Sequence, residues 1–369
     1  MITRTLLRTI LLFVTLAVGL VLCCTAFAGH IDPRVFPLAS VAAMGLPIAV
    51  VVAIIVLVAD LIWAKPSAIL MGLFMLASSA AVLTVFPLHI GGGKVSAEEE
   101  PRAWTLLSYN VIDFEDQTGQ YAGNVNPTVS YILSTDADVV CLQEAEYLCR
   151  YQPTHFTSVQ VDSLSKRYPY ILTNGAGLYL LSKFKAKPIR LSQATSLPGA
   201  GEIAGYALDI HGRRVALYNV HLASIGLNDD DKRLYRDITG LKKGHSVKEV
   251  KNAFFGKIET AAAHRASQVE SLVGDIRKTG GTNVVVCGDF NDVPGCWALR
   301  KLEDAGLSEV YPKVGFGYMN TYNRNRFYFQ IDHVLWRGEM QPKSMKRAKV
   351  MWSDHYPVLT TFVLNEQPE

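Results

Sequence analysis

Hydrophobic positions follow two regimes along the chain, and the boundary falls near residue 97. Before it they run almost unbroken. Thr9 to Ile31, Val35 to Ala59 and Pro66 to Gly93 contain no Asp, Glu, Lys or Arg. Each run exceeds the ~20 apolar residues a helix needs to cross a bilayer. The pattern predicts three transmembrane helices, at 7–28, 37–62 and 67–90.

Beyond the boundary, short β-rich runs alternate with amphipathic segments. "WTLLSYN", "DVVCLQ", "GLYLLSK", "RVALYNVHL", "NVVVCGD", "IDHVLW" and "YPVLTTFVL" read as strands, some half-buried and some apolar throughout. Asn126-Pro127 reads as a cap and first-turn proline opening a helix to Ser134. Ile258, Ala262, Val269, Leu272 and Ile276 form one stripe of a helix over 258–277, with Gly280 just past its end. Arg265 falls on that stripe and reads as a structural ion-pair partner. Mixed strands and helices in this order imply a layered α/β or α+β domain.

Charge orients the first regime. Arg4 and Arg8 precede the first helix and Lys65 lies between the second and third, whereas the loop between the first two holds Asp32 and Arg34. The positive-inside rule then leaves everything after residue 93 outside the cytoplasm. A cleaved signal peptide, suggested by Ala26-Phe27-Ala28, leads to the same side. Residues 1–93 are therefore expected as a membrane anchor of an inner, cytoplasmic membrane. Gly91-Gly92-Gly93 and "KVSAEEEPR" read as a short flexible linker, taken as 94–101, and 102–369 as the catalytic domain.

Charge also limits the partners. Of 36 Lys+Arg and 33 Asp+Glu, the first 97 residues hold five and two, which leaves 31 of each for the rest. Nucleic acid remains a candidate partner, but no net field draws it in. The basic stretches 232–251 and 342–349 read as solvated loops. An extracytoplasmic address permits disulfides, yet spacing does not pair Cys141, Cys149, Cys287 and Cys296. Nothing in the sequence sets an oligomeric state.

The chemistry sits at the strand ends. "LLSYN" finishes at Asn110 and "VVCLQE" at Glu144, while "ALYNVHL" carries Asn219 and His221. "VVVCGDFN" supplies Asp289 and Asn291, "QIDHVLW" opens on Asp332 and His333, and "WSDHYPV" presents Asp354 and His355. Each alone has a structural explanation, such as an Asx turn or a satisfied core histidine. Their recurrence at strand ends is what points to a site, because a rigid sheet aims side chains from distant segments at one spot. Carboxylate and amide oxygens suit Mg²⁺, or Mn²⁺ or Ca²⁺, rather than a structural zinc. Histidines beside carboxylates suit acid–base work, and with a divalent cation they suit phosphate-ester hydrolysis. GxxxxGK[ST] and G-x-S-x-G are absent.

In the order "SYN", "LQE", "NVHL", "GDFN", "IDH" and "SDHYPV", residues 102–365 resemble the endonuclease/exonuclease/phosphatase superfamily, which includes deoxyribonucleases, sphingomyelinases and inositol polyphosphate phosphatases. The resemblance implies a four-layer α/β sandwich, two mixed sheets flanked by helices, here preceded by three transmembrane helices. It implies that Asn110 and Glu144 bind the metal with Asp354 nearby. Asp289 and Asn291 would orient the nucleophile or contact phosphate, and His355 would be the essential histidine with Asp332 as its partner. His221 matches a second histidine of the deoxyribonuclease and sphingomyelinase branches. Gln330 stands where many members have Arg, and His333 is expected to point away from Asp332 as a structural residue. The expected protein is a membrane-anchored, extracytoplasmic phosphodiesterase or phosphatase. A nuclease, a phospholipid head-group hydrolase and a non-catalytic binding module of the same fold are the rival readings. Gly288 is expected to make the tight turn that lifts Asp289 and Asn291 toward a phosphate.

Overall fold

The computed structural model describes residues 2–90, 93–115, 125–146, 148, 156–192, 202–239, 254–324 and 327–366. Cys149, Gly91, Gly92 and the basic stretch from residue 240 to 251 lie outside them.

Five helices make the N-terminal part: α1 (Ile2–Phe27), α2 (Leu38–Met44), α3 (Leu46–Trp63), α4 (Lys65–Ala77) and α5 (Ser79–Val85). Among the described residues two segments, Arg4–His30 and Leu46–Trp63, are long and apolar enough to cross a membrane. The third predicted helix is not continuous. It divides into α4 and α5, bent by 68° at the Ser78-Ser79 pair, and qualifies only if the bent pair counts as one span. The second predicted helix also divides. Pro47 cannot donate to the Ala43 carbonyl and its ring crowds that carbonyl, so α2 stops at Met44 and Gly45 carries the chain into α3.

Among the described residues the seven predicted strands are present, and five others accompany them. In chain order they are β1 (Ala103–Asn110), β2 (Val139–Gln143), β3 (Tyr170–Thr173), β4 (Tyr179–Ser182), β5 (Lys185–Ile189), β6 (Glu202–Ile210), β7 (Arg213–His221), β8 (Asn283–Asp289), β9 (Ser308–Glu309), β10 (Asp332–Arg337), β11 (Met340–Arg347) and β12 (Val358–Leu364). They form two six-stranded sheets, ordered β11-β12-β1-β2-β4-β3 and β5-β6-β7-β8-β10-β9. Each sheet is mixed: β1–β2 and β7–β8 are parallel and the other pairs antiparallel. The basic stretch 342–349, read as a loop, mostly forms the edge strand β11. There Lys343 pairs with Glu99 at 2.5 Å, which lays the expected tether against the sheet.

The sheets pack face to face around Trp104, Leu217, Val285 and Phe362. Outside the first sheet lie helices Pro127–Thr135 and Ser158–Arg167; outside the second lie Gly256–Thr279 and Trp297–Asp304. This is a four-layer α/β sandwich. The sequence signals act as read: the Asn126 side chain accepts from the Thr128 and Val129 amides, and Gly280 closes the long helix at φ 64°. All five stripe residues of that helix are buried. Cys141, Cys287 and Cys296 are buried free thiols.

Candidate active site

Register brings the polar strand ends together. On the second sheet, His221 pairs with Asp289 across parallel β7–β8, and Asp289 pairs with Asp332 across antiparallel β8–β10. Three chemistry-bearing residues therefore stand in one row on one face. On the first sheet, Asn110 and Gln143 are partners, and Glu144 follows directly.

Distances close the group. Asn110 Nδ2 donates to Glu144 Oε1 at 2.9 Å and to Asp289 Oδ2 at 3.1 Å, tying one sheet to the other. His221 Nε2 lies 3.4 Å from Glu144 Oε1 and 3.8 Å from Asp289 Oδ2. His355 Nε2 lies 3.5 Å from the same Asp289 oxygen, and its Nδ1 is 2.8 Å from Asp332 Oδ2. Asp289 thus faces both histidines. Asp354 lines the same cavity as Glu144 and His355, a hollow of about 310 Å³.

Three of these positions depend on unusual backbone. Glu144 and Asn291 have φ of 48° and 51°, sparsely populated for side-chain-bearing residues and costing about 1–3 kcal/mol each. The surroundings hold them. Asp113 N donates to the Glu144 carbonyl at 2.6 Å; Asn291 N donates to Asp289 Oδ1 at 2.8 Å, and Asn291 Nδ2 to the Leu222 carbonyl at 2.9 Å. The third is Gly288, which is not a turn. It lies inside β8 at φ 136°, where an added Cβ would meet the Val220 carbonyl oxygen at 2.0 Å. Glycine is needed because β7 approaches there, and the turn begins after Asp289.

His355 is buried. Burial alone would lower its pKa, but Asp332, then Asp289 and Asp354, outweigh that and push it up to about 10. The imidazole is therefore a standing cation at neutral pH. Tyr322 meets its ring edge-on at 5.1 Å.

Other residues prove structural. Asn219 turns into the core, donating to the Leu142 and Tyr179 carbonyls at 2.9 and 3.1 Å. His333 points away from Asp332: it pairs with Glu309 at 2.6 Å and contacts the Asp292 carbonyl at 2.9 Å. Gln330 turns to His333 at 3.4 Å, leaving Ile331 to line the cavity. Arg265 donates to Asp292 at 3.0 Å and to the Ala223 carbonyl at 2.9 Å, bracing the loop after β8.

Sequence reasoning missed several contributors. Ser353 is buried; its hydroxyl donates to the Asn110 carbonyl at 2.7 Å and accepts from His355 N at 3.1 Å, joining the two motifs. "SDH" contained it, but only contact gives it a role. Lys232 brings a cation to the cavity wall, and Met44 lines the same cavity from the end of α2.

The donor set fits a hard divalent cation. Glu144, His221 and Asp289 offer ligand atoms all within 4.8 Å of one another. Among the described residues, neither Glu144 nor Asp289 has a Lys or Arg within ion-pair distance. Two close carboxylates without such a partner suit a cation with oxygen preference.

A model described as the endonuclease/exonuclease/phosphatase family matches residues 122–355. A second model, described as a domain of unknown function, matches residues 8–85. A search of curated proteins found no match. Among solved structures, humanized Danio rerio TDP2 is 16% identical, covering 71% of this chain and 99% of its own, with a TM-score of 0.44. The human Nocturnin catalytic domain with bound sulfate is 17% identical, covering 72% and 94%, at 0.46. An endonuclease/exonuclease/phosphatase from Beutenbergia cavernae is 14% identical, covering 72% of each chain, at 0.46. At these identities and scores the likeness says nothing of activity.

Proposed function

Because this chain belongs to the endonuclease/exonuclease/phosphatase family, we propose that it hydrolyses phosphate esters at the cleft around Asp289, as a membrane-anchored enzyme with its catalytic part outside the cytoplasm. The observation that carries the reading is the position of Asp289 between two histidines, His221 at 3.8 Å and His355 at 3.5 Å.

In this reading Asn110, Glu144 and Asp354 hold a divalent cation, Mg²⁺ by preference. When bound, it neutralises charge on the phosphoryl oxygens. Asp289 accepts a proton from the attacking water and orients it toward phosphorus. Asn291, pinned by Asp289 and the Leu222 carbonyl, holds the loop beside the reacting phosphate. His355, kept cationic by Asp332, donates to a non-bridging oxygen as negative charge builds there. His221 faces Glu144 and protonates the leaving oxygen.

Orientation rests on charge and on which helix ends meet the domain. Arg8 Nε donates to the Trp63 carbonyl at 3.3 Å, so Arg4, Arg8 and Lys65 gather at one end of the bundle. Residues 28–45 and 86–89 contact the catalytic part at the other. By the positive-inside rule the cationic end faces the cytoplasm. We take residues 1–93 as anchor, 94–101 as connection and 102–369 as catalytic domain.

The test uses full-length protein in detergent with bis-p-nitrophenyl phosphate. Turnover should need Mg²⁺, Mn²⁺ or Ca²⁺ and stop with EDTA. Glu144→Gln and His355→Ala should each lower it at least ~100-fold while thermal unfolding stays cooperative. Wild-type rates in both variants would remove these residues from the mechanism.

A further inference from the structure

The anchor does more than tether. Ala28, Ala39 and Ala43 are buried in the same apolar cluster as Val269, Leu272, Val293 and Cys296 of the catalytic part. Gly29 lies so close that an added Cβ would fall 1.8 Å from the Gly295 carbonyl oxygen. Arg34 clamps the seam: its guanidinium donates to Glu270 at 2.7 and 2.9 Å, and it lies 5.4 Å over the Trp297 ring. The anchor thus seats on the loop that leads out of Asp289, Asn291 and Asp292.

Seating there brings Met44 into the wall of the catalytic cavity, which Val293 and Asp292 also line. Met44 ends α2, and the membrane-spanning α3 begins two residues later at Leu46. The cavity therefore lies next to the end of a bilayer helix. Ile225, Leu227, Phe327, Phe329 and Ile331 add apolar lining. Val35 and Phe36, just before α2, and Leu38, its first residue, expose 81%, 48% and 47% of their surface. The cavity thus has an apolar wall that includes Met44, and further exposed apolar side chains stand a few residues before Met44 along the chain. A polyanion gains little, since acidic and basic residues balance outside the anchor.

We infer that the substrate is the phosphate ester of a bilayer lipid, whose acyl chains stay beside the outer end of α3 while its phosphate passes Met44 to reach Asp289. The inference rests on the phosphoesterase reading and names its substrate class. Water oxygen forms a new bond to phosphorus and one P–O ester bond breaks. The departing alcohol takes its proton from His221, one proton of the attacking water passes to Asp289 and the other stays on the new phosphate oxygen, so no oxidant or further reactant enters.

The test uses full-length protein in nanodiscs of phosphatidylglycerol, phosphatidylethanolamine and sphingomyelin with Mg²⁺, followed by ³¹P NMR. Bis-p-nitrophenyl phosphate and plasmid DNA serve as soluble substrates. Loss of a lipid phosphodiester signal is expected, and the products report which ester bond broke. Met44→Asp should lower the ratio of lipid to soluble-ester rate about tenfold, and Met44→Leu should restore it. Met44→Ala serves if the Asp variant does not fold. Turnover of the soluble ester with intact lipid overturns the inference and leaves the phosphoesterase reading standing. So does preference for DNA, or an unchanged ratio in the Met44 variants. Silence toward every substrate overturns both.

Discussion

Gly288→Ala tests whether the close approach of β7 and β8 builds the site. The new methyl carbon would start 2.0 Å from the Val220 carbonyl oxygen, where ordinary contact begins at 3.4 Å. A flexible side chain could step aside; a backbone carbonyl in a parallel ladder cannot, so the strands must part by roughly 1–1.5 Å. Overpacking of this kind costs about 1–3 kcal/mol, and alanine at φ 136° adds about 1–3 kcal/mol of strain. Together they predict a loss of roughly 4 kcal/mol, or about 10 °C in Tm for a domain this large. Gly212→Ala is the control: φ is 79° there, but nothing lies within 4 Å of the added atom. It should lose no more than ~5 °C, since strain acts without collision. Tryptophan fluorescence on heating gives both values in full-length protein. Activity should fall further than stability, because the neighbouring register pair is His221 and Asp289 and a 1 Å misplacement costs on the order of 100-fold. A Tm within about 3 °C of wild type, or Gly212→Ala equally damaging, would refute the argument.

Asp332→Asn removes the counter-charge foremost in raising His355, so the histidine should lose its proton at lower pH; the alkaline limb of the pH–rate profile should move down and kcat/KM should fall about 100-fold or more. An unmoved limb would separate Asp332 from His355. Burial opposes charge on His333 but Glu309 raises its pKa above the ordinary 6.5. The pair's stability contribution is therefore complete below about pH 6.5 and fades as pH rises through the folded value. The Tm difference between wild type and Glu309→Gln should accordingly shrink from pH 6 to pH 9, and a constant difference would contradict the pairing.

Much of the sandwich was legible because its central strands are bounded apolar runs whose last residues are polar. Register does the rest, and the same rule that set His333 apart from Asp332 holds. What escaped was at the margins. β5 is "KAKPI" and β11 carries three basic residues, as edges do to discourage pairing with other chains. β6 has Gly205 at its centre, which weakens a strand signal. The long apolar runs hid their own breaks, since hydropathy does not register a Ser-Ser pair or a proline four residues past a carbonyl. Asn219 looked like its neighbours in the motif set, and only its contacts with β2 and β4 make it structural. Met44 gave no signal: the residues that line the cavity with it begin at Ile112 and run to His355, far along the chain.

The alanine seam between anchor and sandwich also constrains assembly. A chain starting at residue 98 would leave the flank of Gly256–Thr279 and the Gly295 loop wet where Ala28, Ala39 and Ala43 now cover them. The N-terminal helices and the globular half thus share one buried alanine seam, and neither side of it is covered without the other.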